Sequence, residues 1–107
     1  MRFEIVLAPT AIKGLRSLRA DVRARVRDAI ELHLRHEPRR LSKSRIKRLR
    51  GLDRPQYRLR VDEVRVFYDV TEETVEVLAI VSKVEAATWL AEEATPTTPG
   101  GSRQGKG

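Results

Sequence analysis

The apolar positions change period several times along the chain, and each change marks an element. FEIVLA, residues 3–8, is a short apolar run closed by Pro9, the pattern of a short buried strand. From Thr10 the apolar residues move to helical spacing, with Ile12, Leu15 and Leu18 on one face and the Thr10 hydroxyl suited to cap the helix. A second helical period begins near Asp21, another capping type, and carries Val22, Val26, Ala29, Ile30 and Leu34. It must stop before Pro38, because proline disfavours helical backbone in the residue ahead of it. Residues 38–55 have no clear period and contain Pro38, Gly51 and Pro55, so an exposed loop with room for one helical turn is expected. Alternation then predicts strands at about 56–61, 64–71 and 74–82, joined by the pairs Asp62-Glu63 and Glu72-Glu73 into an antiparallel meander. A last helix over 85–93 puts Trp89 and Leu90 on the sheet. The predicted fold class is α+β: strand, helical hairpin, three-stranded antiparallel meander, C-terminal helix. Residues 1–94 form one domain. Residues 95–107 hold no apolar residue to bury and are expected to be a disordered tail.

Length and charge sharpen this outline. A chain of 107 residues is enough for one modest core, so one site is expected. The net charge of +7, from 22 basic and 15 acidic residues, is concentrated. Residues 35–60 hold eleven lysines and arginines against Glu37 and Asp53, a local net of +9, which leaves the rest mildly acidic. A basic block on such a body suits a polyanion or an acidic protein partner; the alternative is a solvated charged loop. With no cysteine, a disulfide framework, thiol catalysis and a cysteine zinc site are excluded. His33 and His36 lie three apart in a helical stretch, but only Glu37 is spaced to complete a metal site, so no metal and no cofactor is expected. MRFEIVLAPT has no apolar h-region or cleavage motif, and no apolar run approaches membrane-spanning length, so the expected location is the cytoplasm.

The strand register carries the chemistry. With Asp62 and Glu63 in the turn, Arg60 falls opposite Arg65 and Arg58 opposite Phe67, and directly opposed residues share a face. Tyr57, Leu59, Val61, Val64, Val66, Tyr68, Val70, Val75, Val77, Ala79 and Val81 then line the core side under the helical hairpin, and both tyrosines are expected to pack. Arg58, Arg60, Arg65 and Phe67 gather on the other side, with Leu78 and Ile80 beside them for the final helix to cover in part. Opposed like charges destabilise a sheet. A bound anion would remove that penalty, and guanidinium groups match phosphate oxygens well. The other possibility is that the arginines are solvated or neutralised by Asp69, Glu76 and Glu63.

LRG (residues 49–51), YRLRV (57–61) and VRVFYDV (64–70), within this order of elements, resemble the RelE/ParE superfamily of toxins from bacterial toxin–antitoxin modules over roughly residues 3–92. The resemblance implies a small α+β toxin held inactive by a cognate RelB-like antitoxin. In the RelE branch it implies a ribosome-dependent mRNA endonuclease, acting in the 30S A site without a metal, in which a ribose 2′-hydroxyl attacks the adjacent phosphate. In the ParE branch the target is DNA gyrase and no RNA is cut; a degenerate member would only bind its antitoxin. On the RelE reading, Arg58, Arg60 and Arg65 match the basic residues of the first two meander strands, and Lys83 supplies a fourth charge from a shifted register. Lys43, Arg45, Lys47, Arg48 and Arg50 would grip RNA backbone. RNA-cleaving members have lysines where Arg58 and Arg60 stand here, and a tyrosine in the last helix where this chain has Trp89-Leu90. Arginine stays protonated and is a very poor base, so no residue is assigned as general base.

Overall fold

The computed structural model describes residues 1–97. The apolar run at the start forms β1 (Glu4–Leu7), and two helices follow, α1 (Pro9–Ser17) and α2 (Ala20–Leu34). The α1 N-cap is Ala8, with no side-chain cap; the Thr10 hydroxyl instead donates to the Leu78 carbonyl on the sheet. Capping gives way there to anchoring. α2 buries Val26, Ile30 and Leu34 as the period predicts, and ends four residues before Pro38.

The stretch expected to be a loop contains two short strands, β2 (Ile46–Arg48) and β3 (Leu52–Arg54). Three residues are too few to show a period, and in β2 only Ile46 turns inward. The meander is β4 (Tyr57–Val61), β5 (Val64–Val70) and β6 (Thr74–Ser82), and α3 (Lys83–Glu93) follows directly. A five-stranded sheet runs in the order β1-β6-β5-β4-β2, with β1 parallel to β6 and the other pairs antiparallel. α1 and α2 cover one face over a core that includes Leu59, Val66, Tyr68, Val75 and Val77.

The predicted β4–β5 register is found, from Tyr57 opposite Tyr68 to Val61 opposite Val64. Between β5 and β6 it shifts by one residue, because Phe67 faces Ala79 while Tyr68 faces Val77, so Leu78 is a bulge. Beyond the bulge the faces exchange. Ile80, expected on the arginine side, joins the core under the hairpin, and Ala79 and Val81, expected in that core, lie opposite Phe67 and Arg65. The bulge carbonyl accepts the Thr10 hydroxyl, so α1 is attached where the register changes.

α3 is capped by Ser82, whose Oγ accepts from the Glu85 N–H at 3.2 Å and donates to the Glu85 carboxylate at 3.1 Å. Trp89 stacks on Phe67 with ring centroids 5.1 Å apart. The first residues of the expected tail are held to the domain: β7 (Thr95–Pro96) pairs with β3, and the Thr97 N–H donates to the Gly51 carbonyl at 2.9 Å. The remainder of that tail, residues 98–107, lies outside the described residues.

Candidate nucleic-acid interface

The face of the sheet turned away from the hairpin carries rows of basic residues. Lys47, Arg58, Phe67 and Ala79 form one row across β2, β4, β5 and β6. Arg60, Arg65 and Val81 form the next. Phe67 is closed off by Trp89, so α3 covers the β6 side of this face and leaves the basic side toward β2.

The three arginines differ in their surroundings. Arg65 is only 7% exposed, and its Nη1 donates to the carbonyls of Asp62 at 2.8 Å and Val64 at 3.1 Å. The β4–β5 turn, in which Asp62 takes a φ of 52°, thus fixes the direction of this guanidinium. Arg60 is exposed. Arg58 is half-buried, and its Nε is enclosed without any hydrogen-bond partner. Burial, and after it the charges of Arg65 and Arg60, push the Arg58 pKa below the usual arginine range. A half-buried guanidinium beside two like charges, with no carboxylate paired to it, is an arrangement that an anion would relieve.

Two of the three acids that could have neutralised this face are engaged elsewhere. Asp69 and Glu76, opposed on β5 and β6, both pair with Arg54, at 3.6 and 3.5 Å. Asp69 also accepts the Gln56 N–H at 2.7 Å; its burial still raises its pKa, against the opposing effects of Gln56 and Arg54. Among the described residues, no carboxylate pairs with Arg58, Arg60 or Arg65. Arg54 has the role that sequence reasoning missed: it occupies the acids. Their alternation on neighbouring strands was visible, but its place in the β3 strand was not.

The other predicted residues divide. Lys47 joins the face opposite Arg58. Lys83, the first residue of α3, stands beside the β4–β5 turn, with its backbone N–H donating to the Glu63 carbonyl at 2.7 Å. Arg45 is paired at the β2 edge, its carbonyl accepting the Arg60 N–H at 2.8 Å. Lys43 and Arg50 are exposed on either side of β2. Arg48 is not on the face: opposite Tyr57 on the hairpin side, it lies 5.3 Å over the Tyr57 ring and donates to the Leu49 and Gln56 carbonyls. Tyr57 and Tyr68 stack 5.4 Å apart on that same side. The buried Tyr68 hydroxyl donates to the Pro38 carbonyl at 2.7 Å, and burial raises its pKa, so it packs and anchors the loop. His33 and His36 lie at the end of α2, and among the described residues no group of three or more potential metal ligands forms. Among the described residues, the carboxylates that the register puts on this face, Asp69 and Glu76, are paired with Arg54, and both tyrosines lie on the opposite side.

A family model described as the ParE toxin of type II toxin–antitoxin systems matches residues 5–86. The chain belongs to this toxin family. The match runs from β1 through the basic face to the start of α3. Solved structures agree in fold with this ParE-family toxin. It is similar to the free Escherichia coli toxin RelE, determined as a double mutant, at 21% identity and a TM-score of 0.67, covering 88% of this chain and 95% of that one. It is also similar to the Mycobacterium tuberculosis RelBE2 toxin–antitoxin complex, at 22% identity and TM-score 0.61 over 77% of this chain and 99% of that one. The RelE–RelB complex of Pyrococcus horikoshii matches at 25% identity and TM-score 0.59, over 78% and 97%. No curated protein matches the chain in sequence.

Proposed function

We propose that this toxin is a ribosome-dependent mRNA endonuclease that inhibits translation in the cytoplasm and is held inactive by a RelB-like antitoxin. The observation that carries the reading is the uncompensated Arg58, whose Nε is enclosed without an acceptor and whose pKa is lowered by burial and by the nearby charges of Arg65 and Arg60. A scissile phosphate placed there would accept from Arg58 and lie against the other two cations. In the reaction the 2′-oxygen bonds to phosphorus, the bond from phosphorus to the 5′-oxygen breaks, and negative charge grows on the phosphoryl oxygens. Fixed guanidinium groups stabilise that charge. The 2′-hydroxyl proton must leave and the 5′-oxygen must gain one; Asp69 and Glu76 are paired with Arg54, so these transfers fall to solvent or the ribosome, with orientation as the toxin's share. Lys83, at the Arg65 end, is the fourth cation, while Lys43, Arg45, Lys47 and Arg50 extend the contact to RNA backbone. Arg48, committed to Tyr57 and two carbonyls, is left out. The antitoxin partner is supported by the toxin–antitoxin complexes of similar fold.

A second reading, binding and inhibition of gyrase, is favoured by the ParE family match and by the pairing of Asp69 and Glu76 with Arg54. The two separate when the toxin is induced without its antitoxin and new 5′ ends are mapped on a reporter message. Codon-linked cuts that disappear when translation is blocked, and that are lost in Arg60→Ala, are expected. Growth arrest with intact message would replace the nuclease by the gyrase reading.

A further inference from the structure

At the β2 edge of the sheet a cavity of about 340 Å³ opens between the end of α2 and the loop that precedes β2. Its lining includes Leu32, His33, Leu41 and Arg45. Leu32 is 74% exposed and Leu41 58%, an unusual exposure for two leucines around one concave site. His33 is half-buried, and its pKa is pushed down first by burial and then by the Arg45 charge; both line the cavity, and among the described residues no carboxylate pairs with Arg45. The other charged groups are occupied. Arg40 pairs with Glu37 at 3.1 Å, and the His36 Nδ1 lies 3.2 Å from the Met1 carbonyl.

We propose that this cavity binds one nucleotide of the RNA strand, its phosphate between Arg45 and His33 and its base against Leu32 and Leu41. The inference rests on RNA as the ligand of the basic face, and it extends that face. Arg45 is bonded through its carbonyl to Arg60, and Arg60 lies opposite Arg65, so a strand crossing Arg65 and Arg60 reaches Arg45 after about 10 Å, two strand spacings. It then turns round the β2 edge into the cavity. The volume is at the lower end of small-molecule sites, which suits one nucleotide and excludes a duplex. Single-stranded RNA is recognised by this combination, cations for the backbone and an apolar surface for an unstacked base. A Glu37 carboxylate on the rim, held by Arg40, disfavours a second phosphate.

The test is binding of a labelled ten-nucleotide single-stranded RNA to the full chain, followed by fluorescence anisotropy. Arg45→Ala is expected to weaken binding about tenfold, as for loss of a charge-assisted contact, and to lower the salt slope by about 0.7. Leu41→Ser, at an exposed position, is expected to weaken it without changing the salt slope. If Arg60→Ala weakens binding while Arg45→Ala and Leu41→Ser do not, the cavity is excluded and the function of the face stands. If none of the three matters, both readings fall. By NMR, the His33 pKa is expected to rise when the same RNA is added. A rise with inorganic phosphate and none with RNA would overturn the proposal.

Discussion

Arg58 shows how one side chain can be unfavourable for the fold and useful for the site. Its Nε has no acceptor and its neighbours are Arg60 and Arg65, so removing the guanidinium removes a penalty. Arg58→Leu is expected to melt at or above the temperature of the parent while growth arrest is lost. A clear loss of thermal stability would mean that Arg58 holds the sheet together. His33 supplies a pH dependence. Its folded pKa lies below the ordinary histidine value of about 6.5, so the unfolded chain takes the proton first as pH falls. The stability it contributes is present above that value and is lost as pH drops through the folded pKa. Asp69, with a raised pKa, acts in the opposite sense at lower pH, in the carboxylate range. The melting temperature is therefore expected to fall between pH 7 and pH 5.5, and the slope to flatten in His33→Gln. Equal slopes in both proteins would exclude His33 as the source. Residue identities were the most legible level, since Arg58, Arg60 and Arg65 lie where alternation puts them. Arg48, in a stretch read as loop, had no expected side; the three-residue strand β2 pairs it with Tyr57 and gives it carbonyls to bind.

Among the elements, α1 depends on one missing side chain. A Cβ on Gly14 would stand 2.1 Å from the Ile80 carbonyl oxygen, a backbone atom of β6 that cannot move aside cheaply. Gly14→Ala must lift α1 from the sheet, and the expected cost is about 2 kcal/mol, on the order of 10 °C in melting temperature. An unchanged melting temperature would show that the hairpin tolerates a shift. The same segment explains the main error in the predicted register. Residues 77–81, Val-Leu-Ala-Ile-Val, are all apolar, so nothing local marks Leu78 as the extra residue; the bulge lies where α1 is attached, with Thr10 taking the Leu78 carbonyl from more than sixty positions away. β2, β3 and β7 were hidden for a different reason: each is two or three residues long and is defined by its partner strand.

The whole molecule separates its charges by surface. The acids of β5 and β6 are drawn to Arg54 near the far end of the sheet, and the basic face keeps its cations uncompensated. A partner that covers this face must bring acids, and its affinity should fall as salt rises, because exposed charges are screened over about 10 Å at 0.1 M. Titrating the purified toxin with its antitoxin at increasing sodium chloride measures this; constant affinity would place the antitoxin on an apolar surface instead. The order of elements and the basic block were legible because both are properties of composition and period. The parallel pairing of β1 was not, since it joins the first strand to β6, about seventy positions away.

That pairing also sets a schedule. β1 at Glu4–Leu7 finds its neighbour only in residues 74–77, so the sheet cannot close while the chain is still short. Contacts so far apart in sequence form late. A ribosome making this toxin must therefore pass residue 77 before the product can assemble, and an antitoxin already present has that interval in which to meet it.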